Sequence, residues 1–181
     1  MDHEAQINYW IMNDTVRMEA LSIAAELNLP DWCLAAGFVR NLVWDKLHGF
    51  TTSTTLNDID LIYFDPNDKR DVRDREIERR LQSESRLPWS VKNQARMHER
   101  NGDRAYVSTV DAMRFWVEIE TAVGATMKDN GDVVMMAPFG IEPLFAYTIT
   151  LNPTRPKRAD FEARLINKQW LTTWPKLVVN G

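Results

Sequence analysis

The segment Asp58-Ile59-Asp60-Leu61-Ile62-Tyr63-Phe64 constrains this chain more than any other. From Ile59 to Phe64 it is apolar except at Asp60, the pattern of a strand buried in a sheet. On a strand, residues i and i+2 face the same way, so Asp58 and Asp60 share one face while Ile59 and Leu61 take the other. Two carboxylates side by side repel each other, and the arrangement is costly unless a cation, a basic side chain or water relieves it. Magnesium takes few carboxylates, several waters and phosphate oxygens, so such a pair suits a site for Mg2+ and a triphosphate. Two metals bridged by carboxylates would activate an attacking hydroxyl and stabilise a leaving pyrophosphate.

Around this strand the chain reads as alternating helices and strands. Residues 4–28 form a helix, with Val16, Leu21, Ile23, Ala24 and Leu27 near helical spacing; Asn13-Asp14-Thr15 caps a second helix after a short break. Leu29-Pro30-Asp31 stops it. Trp32 to Gly37 is a short buried strand, and Phe38 to Leu47 a helix closed by His48-Gly49. Residues 68–86 make a charged helix that Pro88 ends, and Trp89 to Met97 a strand. Residues 110–117 are a short helix. Residues 122–128 pair with Val133 to Met136 as a hairpin across Asn130-Gly131-Asp132. Asp160 to Trp170 is the last helix. This order predicts an α+β (α/β) domain with a sheet at its centre. The whole of 1–181 is expected to be one domain, its core at about 30–110 and a small C-terminal α/β extension at about 110–181.

Composition narrows the function classes. A net charge of -4 argues against a protein built to coat duplex DNA or RNA, which needs a basic excess. One cysteine, Cys33, excludes a disulfide framework within the chain and sits in an apolar stretch as a small buried hydrophobe. Three histidines without ligand spacing give no structural zinc site. No apolar run is long enough for a membrane span, and the acidic start Met1-Asp2-His3-Glu4 is no export signal, so a cytoplasmic location is expected.

Upstream of the acidic pair, Gly37 ends one apolar strand and opens a helix. That turn exposes backbone N–H groups at a helix N-terminus, a natural anion site, and glycine lets a phosphate come close. Arg40, in the first turn, is placed to contact a phosphate or to make a surface ion pair.

Taken together, Gly37-Phe-Val-Arg-Asn, Leu47-His-Gly49 and Asp58-Ile-Asp60-Leu-Ile resemble the head domain of the polymerase-beta nucleotidyltransferase superfamily. The spacing is most like the CCA-adding and poly(A) polymerase branch, where Gly-Gly-x-Val-Arg-Asp, a short helix and Asp-x-Asp form the triphosphate and metal site. More narrowly, the chain resembles a bacterial group of nucleotidyltransferase-family proteins through Ala36–Asp45, Asp58–Asp65, Lys92-Asn-Gln-Ala-Arg-Met-His98, Thr121-Ala-Val-Gly124 and Ala137-Pro-Phe-Gly140. The resemblance runs over about residues 10–177.

It implies a nucleotidyltransferase head with a central mixed sheet flanked by helices. Asp58 and Asp60 would be the catalytic metal carboxylates, for one or two Mg2+ ions with Mn2+ as substitute. Gly37, Phe38 and Arg40 would lie at the triphosphate. Apart from the resemblance, Asn93-Gln94-Ala95-Arg96-Met97-His98 is dense in hydrogen-bonding side chains after a strand and reads in two ways: Asn93, Arg96 or His98 contacts base, ribose or acceptor, or Asn93 and Gln94 satisfy buried backbone and Arg96 pairs with a surface acid. The partners implied are a nucleoside triphosphate and an acceptor that is a small molecule, RNA or protein. Two departures bear on turnover. Phe38 follows Gly37 where the superfamily usually has Gly or Ser. The superfamily's third carboxylate on the next strand is missing from Val91-Lys92-Asn93-Gln94, where Asn93 stands in as a neutral ligand or Lys92 neutralises the site. They leave open a module of the same fold that binds nucleotide with little or no turnover.

Other features read more plainly. The charges of 68–86 fit a solvated helix laced with i,i+4 pairs. His98 fits a solvated or core-capping histidine. Trp170 and Trp174 fit a clamp that closes the C-terminal segment on the core.

Overall fold

The computed structural model describes residues 2–181. Two capped helices begin it. α1 (His3–Met12) starts at Asp2, whose carboxylate accepts from the Ala5 N–H at 2.7 Å. α2 (Thr15–Glu26) starts at Asp14, which accepts from the Arg17 N–H at 3.0 Å. Such caps satisfy donors a helix start leaves free, so the break falls at Asn13-Asp14 as expected.

β1 (Cys33–Ala35), β2 (Ile59–Tyr63), β3 (Trp89–Asn93), β4 (Gly124–Met127) and β5 (Val133–Met136) form one sheet in the order β3-β2-β1-β4-β5. β1 runs antiparallel to β2 and β4, β4 antiparallel to β5, and β2 parallel to β3. The parallel pair is joined through α4 (Asp71–Glu84), and α3 (Gly37–Leu47) connects β1 to β2. The sheet is therefore mixed, and draws its strands from both sides of residue 110.

β3 is shorter than the sequence predicts. At Asn93 the side chain accepts from the Ala95 N–H at 3.0 Å, turning the chain into a 3-10 turn (Gln94–Arg96) and α5 (Met97–Asn101). This is the turn-forming habit of asparagine overriding the alternation that Trp89, Val91, Ala95 and Met97 suggest.

Strand alternation gives the sheet two faces. Leu34, Ile59, Leu61, Tyr63, Trp89 and Val91 join the main core with residues of α1, α2 and α3. Cys33, Ala35 and Ile62 join a smaller cluster with Met113 of α6 (Thr109–Met113) and Ala122. Asp60 has the parity of Ile62 and stands on this second face.

The C-terminal segment adds β6 (Thr148–Thr150), α7 (Arg158–Lys168), α8 (Trp170–Thr173) and β7 (Val178–Asn180), with β6 and β7 paired in parallel. Its core holds Ile149, Leu151, Phe161, Trp170, Trp174 and Leu177 around Trp44. Trp44 belongs to α3, so this burial fastens the segment beside the start of β2. Among the described residues no helix is long and apolar enough to cross a membrane.

Candidate active site

A cavity of about 730 Å3 opens on the second face of the sheet. That is the size of an ordinary small-molecule site. Asp58, Asp60, Gly37 and Arg40 all line it, joined by walls from β3, α5, α7 and α8. Phe38, Asn93 and Arg96 do not.

The turn into α3 is strained. Ala36 has φ 56 and ψ -120, a region that a residue with a Cβ rarely adopts, and its N–H is held by the Val123 carbonyl at 2.7 Å. The Val39 and Arg40 N–H groups return to the Ala36 carbonyl at 3.2 and 3.0 Å. Among the described residues no hydrogen bond engages the N–H groups of Gly37 and Phe38, which begin the helix. A Cβ on Gly37 would come within 3.2 Å of the Asn41 carboxamide, so the residue that orients Arg40 leaves no slack there. Aligned on Val39 and Arg40, the motif's first glycine falls on Ala36 and its variable position on Phe38. The departure expected at Phe38 is thereby corrected: its side chain is buried in the main core, and its carbonyl accepts from Arg17 Nε at 2.7 Å.

Arg40 is held on all sides. Its guanidinium lies 5.1 Å from the Trp44 ring and 4.8 Å from the Trp170 ring. Nη1 donates to Thr121 Oγ1 at 2.7 Å, and Nη2 and Nε donate to Asn41 Oδ1 at 3.0 and 3.2 Å. A guanidinium has five donors, so two N–H groups remain for a ligand in the cavity. Burial lowers its pKa to about 10, with Arg164 adding to the effect and Glu118, Asp60 and Glu120 opposing it; it stays charged at neutral pH. Of the two roles open to Arg40, the surface ion pair is excluded by this burial.

Asp60 lies in register between Ala35 of β1 and Ser90 of β3, while Asp58 is exposed at the strand's entrance. Burial, and next the charge of Asp58, push the Asp60 carboxyl up to about 6; Lys168, Arg40 and Arg164 pull the other way. The two acids thus strain each other as their shared face requires. Glu118, on the cavity wall, is neutralised by Arg164, which reaches its two oxygens at 2.6 and 3.1 Å. Among the described residues, no third acid, histidine or cysteine joins Asp58 and Asp60 in a metal-holding group. Two hard oxygen ligands nevertheless fit a Mg2+ ion that keeps waters and phosphate oxygens.

Register on β3 separates Lys92 from Asn93. Lys92 pairs with Ile62, whose parity is that of Asp60, and lines the cavity. Asn93 pairs with Tyr63 and is fully buried on the other face. Its amide donates to the Asp65 and Asp68 carbonyls at 2.8 and 2.9 Å, and its oxygen accepts from the Asp65 N–H at 3.0 Å. It is a loop brace, occupied by backbone, and cannot stand in as the missing ligand. Arg96 is ion-paired with Asp74 behind the sheet. Asp74 also accepts from the Tyr63 hydroxyl at 2.7 Å.

The sequence reading missed Glu118, Asp160, Arg164 and Lys168 as cavity residues. Thr121 had a signal, since Thr121–Gly124 is among the stretches that carry the resemblance. The others approach the site from more than fifty residues away in the chain. Asp45 was also missed. Its Oδ1 accepts from the Trp174 indole at 2.9 Å, and its Oδ2 accepts from the Thr54 N–H and Oγ1 at 2.8 and 3.1 Å. One buried carboxylate so joins α3, the loop that delivers Asp58, and the C-terminal clamp.

Comparison with known proteins identifies the family and the fold. A family model described as nucleotidyltransferase matches residues 22–179. No curated protein sequence matches. A solved NMR structure, described as revealing a CCA-adding enzyme head domain, is 29% identical with a TM-score of 0.86, over 99% of this chain and 97% of that one. A CCA-adding enzyme in complex with CTP shares the fold at 13% identity and TM-score 0.59, over 98% of this chain but 43% of its own. A tRNA-processing enzyme complex does so at 15% and 0.56, over 89% and 42%. The chain spans less than half the length of these last two.

Proposed function

Because the chain belongs to the nucleotidyltransferase family, we propose that it moves a nucleoside monophosphate from a nucleoside triphosphate to an acceptor hydroxyl, with Asp58 and Asp60 as its metal carboxylates. The observation that carries this reading is the convergence of the Asp58–Asp60 pair, the open start of α3 at Gly37, and Arg40 on one cavity. Each of these deals with negative charge in a different way. The free N–H groups of Gly37 and Phe38 point a helix start at an anion. Arg40, held against two indoles and by Thr121 and Asn41, offers its remaining donors without reorganising. The acidic pair would hold Mg2+, which when bound neutralises phosphate charge and acidifies an acceptor hydroxyl. The acceptor oxygen then bonds to the α-phosphorus. The bond from that phosphorus to the pyrophosphate oxygen breaks, pyrophosphate leaves with the electron pair, and the hydroxyl proton passes to water in the cavity.

One observation favours a second reading, a nucleotide-binding module with little turnover: β3 presents Lys92 to the cavity and no carboxylate. Calorimetric titration with each of the four nucleoside triphosphates, with and without Mg2+, tests the first step. One of them should bind only with metal, and the Asp58→Ala/Asp60→Ala variant should lose it. If none binds to the wild type with either Mg2+ or Mn2+, the proposal fails. Transfer of label from the nucleotide that binds separates turnover from binding alone.

A further inference from the structure

Beyond the acidic pair the cavity has a second set of cations. Lys92 of β3, Arg100 of α5 and Lys157 at the start of α7 line it, from three separate elements. None of them takes part in an ion pair or in a side-chain hydrogen bond with a described residue. Lys157 feels Asp103, but that carboxylate is already bonded to Arg155 Nε at 2.7 Å. Lys92 and Lys157 are half-buried and Arg100 is exposed, so their charged ends are open to an anion entering the cavity.

The other cations of the cavity are accounted for. Arg164 is paired with Glu118, and Lys168, Arg40 and Arg164 all act on Asp60, where the triphosphate would lie. Ser90 is level with Asp60, so Lys92 stands one strand over and two residues further along, about 8 Å from Asp60 along the backbone. An anion there is several bonds from a hydroxyl placed at the acidic pair.

Resting on the nucleotidyltransferase reading, we propose that Lys92, Arg100 and Lys157 bind the phosphate group of a small phosphorylated acceptor. Three cations on one cavity, one of them a guanidinium, suit the several oxygens of a phosphate. A polynucleotide is disfavoured because the basic residues of α4 lie behind the sheet, on the face of Tyr63 and Leu81, and none of them lines the cavity.

The test titrates the whole protein with glycerol 3-phosphate, in the presence of Mg2+ and saturating nucleoside triphosphate. Glycerol and a short RNA oligomer serve as comparisons, and side-chain signals of Lys92 and Arg100 are followed by NMR. Glycerol 3-phosphate should bind without displacing nucleotide and should shift both signals, while glycerol does neither. Loss of the charge-assisted bonds in Lys92→Gln/Arg100→Gln should weaken it about tenfold or more. In Arg100→Gln/Lys157→Gln nucleotide affinity should change less than about twofold. Arg100→Gln/Lys157→Gln, which leaves the strand untouched, should weaken the probe too if the first variant unfolds. The proposal is overturned if nucleotide binds and glycerol 3-phosphate does not, if the two compete, or if the variants bind it as the wild type does. Tighter binding of the RNA oligomer overturns it in favour of a polynucleotide acceptor. Failure of every triphosphate to bind, with Lys92-dependent phosphate binding intact, sinks the parent reading and leaves the anion site standing.

Discussion

Replacing Asp60 by Asn should stabilise this protein, and the size of the gain follows from the site. Burial and the neighbouring Asp58 raise the Asp60 pKa from 3.8 to about 6. The folded protein thus holds this proton more tightly than the unfolded chain does. Wild-type stability therefore falls as pH rises from about 4 to about 6, and the loss is complete above that window. A shift of roughly two units corresponds to about 3 kcal/mol. Asp60 is only partly buried and opens onto solvent, so screening trims this to about 2 kcal/mol. Asparagine has nearly the same shape and carries no charge, so it escapes the cost. In urea unfolding with a chelator present at about pH 8, Asp60→Asn should exceed wild type by about 2 kcal/mol, or about 4–8 °C in Tm. The advantage should shrink as pH falls towards about 4, where both states of the wild type become protonated. Asp58→Asn should give a smaller gain by removing the like charge beside Asp60. If Asp60→Asn is no more stable than wild type at about pH 8, or equally favoured at all pH values, then the acidic pair is not strained and the electrostatic argument for a cation there falls.

Three further outcomes are expected. Asp45→Ala strips three hydrogen bonds and leaves the Thr54 N–H and Trp174 indole unpaired, costing about 3 kcal/mol in urea unfolding; a loss under about 1 kcal/mol would show that the clamp is held by packing alone. Gly124→Ala places a Cβ 2.5 Å from Cys33 Sγ, where β4 pairs with β1, and should destabilise by about 1–3 kcal/mol by the same assay. Burial raises the Cys33 thiol well above its usual range, so a thiol reagent should label it only at the rate of unfolding; fast labelling of native protein would contradict the packing of the second face.

Much of this site is written along short stretches of chain. The parity of Asp58 and Asp60 needs only that Ile59–Tyr63 be a strand, and its apolar run ensures that. Gly37 opening a helix, Asp14 capping one, and a hairpin across Asn130-Gly131 depend on residues within a turn of each other. The motif around Gly37 and Asp58 then marks the family before any coordinates exist.

Tertiary structure decided the rest. Whether Lys92 or Asn93 faces the acidic pair depends on the register of β3 against β2, and a slip of one residue would exchange them. Nothing near Arg40 in the chain announces that Trp170 will cover it, or that Asp45 will bind Trp174, 129 residues away. The need for glycine at 124 appears only when Cys33 is laid against it. Local sequence determines which way a side chain points along its own element, because that is a matter of backbone period. Which partner it meets is set by how elements pack, and packing is a property of the whole core.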